Sequence, residues 1–307
     1  MKYWIEASQK YKFSVARFRT TARTATHRYK VYTIPKRNGG QRTICHPARR
    51  VKAYQYYLIN DILKEIKTHQ CCMAYEVGCS TFRNANYHAD SKYFVRIDLK
   101  QYFESFLAVD VYKFLRETAG ERMDDEDADL AAQICCRNGR LTIGGPVSPI
   151  ITNRMMFQFD DSVNVWCQQN KLRYTRYADD MVISSGRIFD KVVVINYIRG
   201  QLSSAKYGRL TINDEKTKVM SGKGRRNING LNITNDGRAV VPRELKRQIR
   251  SMIYSGVTSI TQKAKLVGLI NYIEGIEPGI KEKLLRKYNE KYTAIIGSGE
   301  TVGPSNG

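Results

Sequence analysis

The sequence predicts an α+β fold, and three features carry that reading. Two β-hairpins stand far apart in the chain, over residues 29–46 and 172–185. Between them a short apolar strand, Phe94-Val-Arg-Ile-Asp98-Leu, ends on a charge. Helical periodicity fills the intervals and dominates the C-terminal part.

The elements follow in order. Tyr29 to Pro35 is rich in β formers, Asn38-Gly39-Gly40 supplies a turn, and Arg42 to Cys45 returns. Pro47 opens a helix through about Thr68, with Val51, Tyr54, Leu58, Ile62 and Ile66 on one face. Helices are predicted from about Asp110, from Asp125 to Cys136, and as one long element from Pro149 to Gln169. The second hairpin pairs Leu172 to Tyr177 with Met181 to Ser185 and turns at Ala178-Asp179-Asp180. A helix from Asp190 to Ala205 and short strands over 210–241 come next. Pro242 starts a helical region through about Tyr292, and the Gly/Ser-rich end reads as disordered.

The chain has 307 residues, 42% of them hydrophobic, enough for one or two domains with a core. Its formal net charge is +22, from 51 Lys and Arg against 29 Asp and Glu. So large an excess repels itself unless an anion is bound, and nucleic acid is the commonest such partner. Residues 1–52 carry 14 Lys and Arg against one acid, Glu6, and further basic stretches span 216–226 and 243–291. The acidic run Glu121 to Asp129 reads as a solvated helix start. No stretch approaches the ~18 apolar residues of a membrane helix, and the N-terminus lacks a signal-peptide run, so a soluble cytoplasmic protein is expected. The seven Cys include two vicinal pairs, Cys71-Cys72 and Cys135-Cys136, and no Cys-x-x-Cys. A zinc site from Cys71, Cys72, Cys79 and His88 would fit no common spacing, and buried thiols are the simpler reading.

Adjacent carboxylates at a tight turn repel, and each raises the other's pKa. Asp179 and Asp180 are therefore either an ordinary Asp-rich turn or half of a divalent-metal site. Asp98 favours the second reading, because a charge in an apolar strand is costly without a partner. With that strand beside the hairpin, three carboxylates converge, an oxygen-donor set suited to two Mg²⁺ ions. Gly144-Gly145-Pro146 precedes a helix and allows close backbone approach to a nucleotide or template, or is a plain loop.

Taken in order, these segments resemble a reverse transcriptase. Phe94 to Phe103 looks like the first palm motif, Gly144-Gly145-Pro146-Val147-Ser148-Pro149 like the second, and Tyr177-Ala178-Asp179-Asp180 like the third, the most specific. Asn213-Asp-Glu-Lys216-Thr217 and Gly230-Leu-Asn-Ile resemble the next two, and Tyr32 to Arg42 the fingers hairpin. The resemblance covers about residues 28–293. Within the family, Asn84-Ala85-Asn86-Tyr87-His88 is similar to the Asn-Ala-x-x-His signature of bacterial retron enzymes. A second signature, Val-Thr-Gly, keeps only its Gly in Ile228-Asn229-Gly230. The second palm motif departs from the family by carrying Ile143 where Gln is usual.

The resemblance implies a right-hand polymerase: N-terminal region and fingers over 1–93, palm over 94–240 with fingers helices interleaved at about 107–148, helical thumb over 241–293, and a disordered tail over 294–307. It implies RNA-directed DNA synthesis with Asp98, Asp179 and Asp180 as catalytic metal ligands, the Leu99 carbonyl as a further oxygen, and two Mg²⁺, replaceable by Mn²⁺. Phe103 would exclude a ribose 2′-hydroxyl, with Tyr102 and Phe106 competing for that place and strand alternation favouring one face. Lys36 and Arg42 would hold the triphosphate, Gly144 would approach the nucleotide, and Lys216 would protonate pyrophosphate. Solvated charge is the alternative for Lys36 and Lys216. RNA contacts are expected from Asn84 and His88 (His88 also reads as a structural histidine) and from the helix bearing Arg243, Lys246, Arg247 and Arg250. The implied partners are dNTPs, a structured non-coding RNA encoded beside the protein, its branched DNA product, and an effector protein of phage defence.

Overall fold

The structure is a computed structural model that describes residues 1–36 and 39–296, without the side chain of Ile296. The predicted turn residue Asn38 and the tail 297–307 lie outside the described residues. The chain forms two compact units, residues 1–80 with 92–220, and residues 81–91 with 221 onward. Residues 81–91 thus associate with the C-terminal segment.

In chain order the elements are α1 (Tyr3–Tyr11), α2 (Val15–Arg23), β1 (Tyr29–Pro35), β2 (Gln41–Pro47), α3 (Arg49–Asp61), α4 (Thr81–Tyr87) and β3 (Tyr93–Asp98). Then come α5 (Ala108–Ala119), α6 (Asp125–Cys135), β4 (Cys136–Arg137), β5 (Arg140–Leu141), α7 (Val147–Met155), α8 (Phe157–Gln169), β6 (Arg173–Tyr177), β7 (Asp180–Ser185) and α9 (Lys191–Ser203). The last are β8 (Lys218–Ser221), β9 (Arg226–Ile228), β10 (Leu231–Ile233), β11 (Ala239–Val240), α10 (Arg243–Ser255), α11 (Ile260–Glu274) and α12 (Ile280–Ile296). The mixture of helices with small antiparallel sheets is the predicted α+β class.

The first unit is built on a sheet ordered β6-β7-β3-β8 and on the separate hairpin β1–β2. One face of the sheet carries Val95, Ile97, Tyr174, Arg176, Met181 and Ile183, all buried. A second part of the core is aromatic: Trp4 stacks on Phe18 at 4.0 Å, and Tyr54 of α3 meets Phe18 edge-on. The N-terminal helices α1 and α2 give this cluster Trp4 and Phe18. The second unit holds α4, the sheet β11-β10-β9 and helices α10 to α12.

Several expectations need correction. The single helix 149–169 is two, α7 and α8, broken at Met156, where ψ is 0°. The helix after Pro47 ends at Asp61 and continues only as a 3₁₀ turn over Leu63–Glu65. Residues 294–296, assigned to a disordered tail, continue α12. The acidic run is not simply solvated. Asp127 is fully buried and accepts the N–H groups of Lys2 (2.7 Å), Tyr3 (2.9 Å) and Trp4 (3.2 Å). It satisfies the open donors at the start of α1, where Lys2 provides no side-chain cap. Among the described residues no helix is long and apolar enough to cross a membrane.

Candidate active site

Strand β3 pairs antiparallel with β7, and the register sets Asp98 opposite Asp180 and Arg96 opposite Val182. Directly opposed residues share a face. Alternation therefore puts Arg96, Asp98 and Asp180 together on the face away from the apolar core. The β6–β7 hairpin turns on two residues, because Tyr177 pairs with Asp180. Ala178 holds φ +55° there, a left-handed backbone that costs an L-residue of order 1–2 kcal/mol. Asp179, second in the turn, is tied to the first strand by its carbonyl, which accepts the Leu99 N–H at 2.9 Å. The Asp98 carbonyl accepts the Asn213 N–H at 2.7 Å. Three segments thus meet at the carboxylates.

Two of the three carboxylates are paired with cations. Arg96 donates to Asp180 through Nε (2.7 Å) and Nη2 (2.6 Å). Lys216 Nζ lies 3.0 Å from Asp98 Oδ2, and Asn213 Nδ2 lies 3.2 Å from the same oxygen. Burial pushes the Asp180 carboxyl up to about 6 against the opposing pull of Arg96. Asp179 is raised as well, first by burial and then by the charge of Asp98, while Lys216 and Arg42 pull it back. In this conformation no three carboxylate, imidazole or thiol groups among the described residues come close enough to share one metal ion. Asp180 is turned onto Arg96, and Asp98 onto Lys216. The donor chemistry nonetheless fits a hard dication, because crowded carboxylates with raised pKa values gain most from one.

Behind the turn lies a buried brace that sequence reasoning missed. Arg176 of β6 and Asp160 of α8 are both 0% exposed and form a two-pronged pair at 2.8 and 2.6 Å. Tyr174 also donates to Asp160 at 2.8 Å. Arg176 Nη1 reaches the Tyr102 hydroxyl (2.9 Å) and the Ala178 carbonyl (3.2 Å), so the brace fixes the strained turn residue itself. Alternation along β6 could have revealed it, since Arg176 shares a face with Tyr174. The same rule, applied two residues before Asp98, would have found Arg96.

The remaining predicted residues fall into three groups. Phe103 is half-buried and packs against Tyr102, whereas Tyr102 and Phe106 belong to the core. No strand alternation applies there, because β3 ends at Asp98 and Phe103–Ser105 is a 3₁₀ turn. Arg42 lies on β2 within electrostatic reach of Asp179, and Lys36, at the end of β1, is exposed. Gly144 (φ +112°) makes its close approach to protein: a Cβ there would meet Ile44 at 2.9 Å and the Cys45 carbonyl at 3.0 Å. The neighbouring Ile143 carbonyl accepts the Cys45 N–H, so this loop is bound to the β1–β2 hairpin through its backbone.

In the second unit, Asn84 and His88 are each fully buried. Asn84 donates to Asn229, so the Asn-Ala-x-x-His segment and the Ile228-Asn229-Gly230 segment meet as one structural contact. On α10, Arg243, Arg247 and Arg250 are exposed, while Lys246 is paired with Glu277 at 2.5 Å. Cys71 and Cys72 are buried, and burial pushes the Cys71 thiol up to about 12.

With this geometry in view, comparison with known proteins decides the family. The profile of the reverse transcriptase (RNA-dependent DNA polymerase) family matches residues 34–258. The chain belongs to the reverse transcriptase family. It is 33% identical to the retron Ec83 reverse transcriptase of Escherichia coli over 88% of this chain and 89% of that one. It is also 33% identical to the retron Ec73 enzyme of the same species, over 84% and 86%. Identity to the retron Ec86 enzyme is 26% over 94% and 89%. These relatives place it in the bacterial retron-type branch, as an RNA-directed DNA polymerase. Among solved structures, telomerase from Candida albicans superposes with a TM-score of 0.50 at 11% identity, over 88% of this chain and 56% of that one. That likeness shows the shared right-hand polymerase fold. Reverse transcriptases use divalent metal ions, and an RNA template and a DNA product follow from the activity.

Proposed function

We propose that this reverse transcriptase serves a retron. It copies a structured non-coding RNA, encoded beside it, into single-stranded DNA that remains joined to the RNA. Synthesis starts from a guanosine 2′-hydroxyl and gives a branched RNA–DNA molecule. The system acts in phage defence with an effector protein. The retron relatives and the net charge of +22 support this reading.

The observation that carries the catalytic part is the Asp98–Asp180 pairing at the end of the polar sheet face, with Asp179 in the adjoining turn. Asp98, Asp179 and Asp180 are the catalytic metal ligands, with the Leu99 carbonyl as a further donor. Two Mg²⁺, or Mn²⁺ in their place, would supply activation of the primer hydroxyl and neutralisation of the triphosphate. The chain's own residues do the rest. Arg96 and Lys216 pair with Asp180 and Asp98 until the substrate complex forms. Lys216, next to Asp98, then gives a proton to the leaving pyrophosphate. Arg42 and Lys36 bind triphosphate oxygens. Phe103 excludes the ribose 2′-hydroxyl, the role its half-buried place leaves open and the burial of Tyr102 and Phe106 does not. Gly144 allows the loop to lie against the fingers hairpin beside the nucleotide.

Sequencing of nucleic acid co-purified with wild type and with Asp179→Asn tests the proposal. A short DNA joined to RNA in wild type only is the expected result. RNA alone in both samples would contradict it.

A further inference from the structure

In the first unit, three buried side-chain oxygens converge beside Gly145. Gln55 of α3 and Ser148 of α7 are 0% exposed, and Thr142 is 6% exposed. Gln55 Oε1, Ser148 Oγ and Thr142 Oγ1 have no hydrogen-bond partner among the described residues. A Cβ on Gly145 would lie 3.4 Å from Ser148 Oγ and 3.5 Å from each of the other two, ordinary contact distances. The three oxygens thus surround a space the size of a methyl group. Gly145 keeps that space open, and its backbone lies outside the left-handed region that favours glycine.

Buried polar atoms are hydrogen-bonded, so these three call for a common partner. Its chemistry is set by the residues around it. Gln55 Nε2 donates to the Ile134 carbonyl (2.7 Å) and to the Tyr29 hydroxyl (3.1 Å). These bonds fix the amide and leave Oε1, an acceptor only, for the shared partner. That partner must donate, which excludes an anion without protons. Helix α7 starts at Val147 with no side-chain cap, and Ser148 lies in its first turn. The positive end of a helix disfavours a cation. The two hydroxyls can each give or take a hydrogen bond. A neutral donor and acceptor built on a single heavy atom is water.

We propose that Gln55, Thr142 and Ser148 bind one water molecule, which joins α3, the loop 142–146 and the first turn of α7. The water donates to Gln55 Oε1 and exchanges hydrogen bonds with the two hydroxyls. Three partners are typical of a buried water. The same loop is also held by the Ile143 carbonyl, which accepts the Cys45 N–H at 2.8 Å. It is thereby pinned to the β1–β2 hairpin through its backbone and to α3 and α7 through the water. The two glycines divide the work: Gly144, at φ +112°, serves the backbone, and Gly145 leaves room for the water. The site rests on this packing alone and is independent of the retron reading.

A crystal structure of the full chain tests the site directly. A density peak within about 3.2 Å of all three oxygens is the expected result. Absence of a peak overturns the site. A peak that gains anomalous signal when Rb⁺ replaces K⁺ overturns water in favour of a monovalent cation. Calorimetry then compares wild type, Gly145→Ala, Thr142→Val and the double variant. The methyl of Gly145→Ala expels the water and strands three oxygens, so Tm should fall by about 5 °C. Alanine at an ordinary backbone position would instead raise it slightly. Thr142→Val should lower Tm by about 3 °C in wild type, yet raise it in the Gly145→Ala background, where it removes a stranded hydroxyl. A rise in Tm with Gly145→Ala, or additive losses in the double variant, overturns the proposal. Should Gly145→Ala fail to fold, the density decides.

Discussion

The palm sheet carries two kinds of ion pair on its two faces, and they differ in how finished they are. On the core face, Arg176 and Asp160 are fully buried, and their partners include Tyr174, Tyr102 and the Ala178 carbonyl. On the open face, Lys216 and Asp98 retain 63% and 14% side-chain exposure, and Asp180 carries a raised pKa despite Arg96. The first pair leaves nothing for a ligand to improve. The second set is a holding arrangement, in which cations shield carboxylates that a stronger cation could claim. The buried pair braces the turn, and the second set stays partly exposed beside it.

The comparison breaks most violently at Asp160→Asn. A lone buried Arg176 should cost about 3–5 kcal/mol and lower Tm by about 10 °C, measured by calorimetry. A shift of a degree or two would mean that the brace is dispensable. Next comes Lys216→Met, which should change stability by under about 1 kcal/mol because the pair is exposed. Its kcat for dNTP addition should nevertheless fall about 100-fold, while the Mg²⁺ needed for half-maximal rate decreases. An unchanged kcat would reduce Lys216 to a shielding charge. Phe103→Ala should raise incorporation of ribonucleotides relative to deoxynucleotides by about tenfold in competition assays, with Tm almost unaffected. Unaltered discrimination would remove Phe103 from the sugar site. The smallest effect is expected from Ala178→Gly. Relief of the left-handed strain is offset by chain entropy, so Tm should move by the equivalent of under about 1 kcal/mol.

What was legible in the sequence follows the same division. Asp98, Asp179 and Asp180 were readable as candidates because strand periodicity and a tight turn leave few places for their side chains, and the register sets Asp98 opposite Asp180. The two hairpins were placed for the same reason. Long-range satisfaction of polar groups was not readable. Asp127 caps a helix that begins about 120 residues earlier, and Arg176 meets an aspartate on another element. Both look like ordinary surface charges in one dimension. Asn84 and His88 suggested contact with RNA because they form a signature. Both are fully buried, and Asn84 ties α4 to the β9–β10 turn through Asn229. The break at Met156 carries no Pro or Gly to announce it.

The most direct test of the central claim, that the open face is the polymerising centre, is dNTP incorporation on oligo(dT)-primed poly(A). Wild type and Asp179→Asn would be compared after calorimetry has matched their folding. The account predicts metal-dependent extension by wild type and none above background by Asp179→Asn at an unchanged Tm. Equal extension by both proteins, or extension by neither, would contradict it.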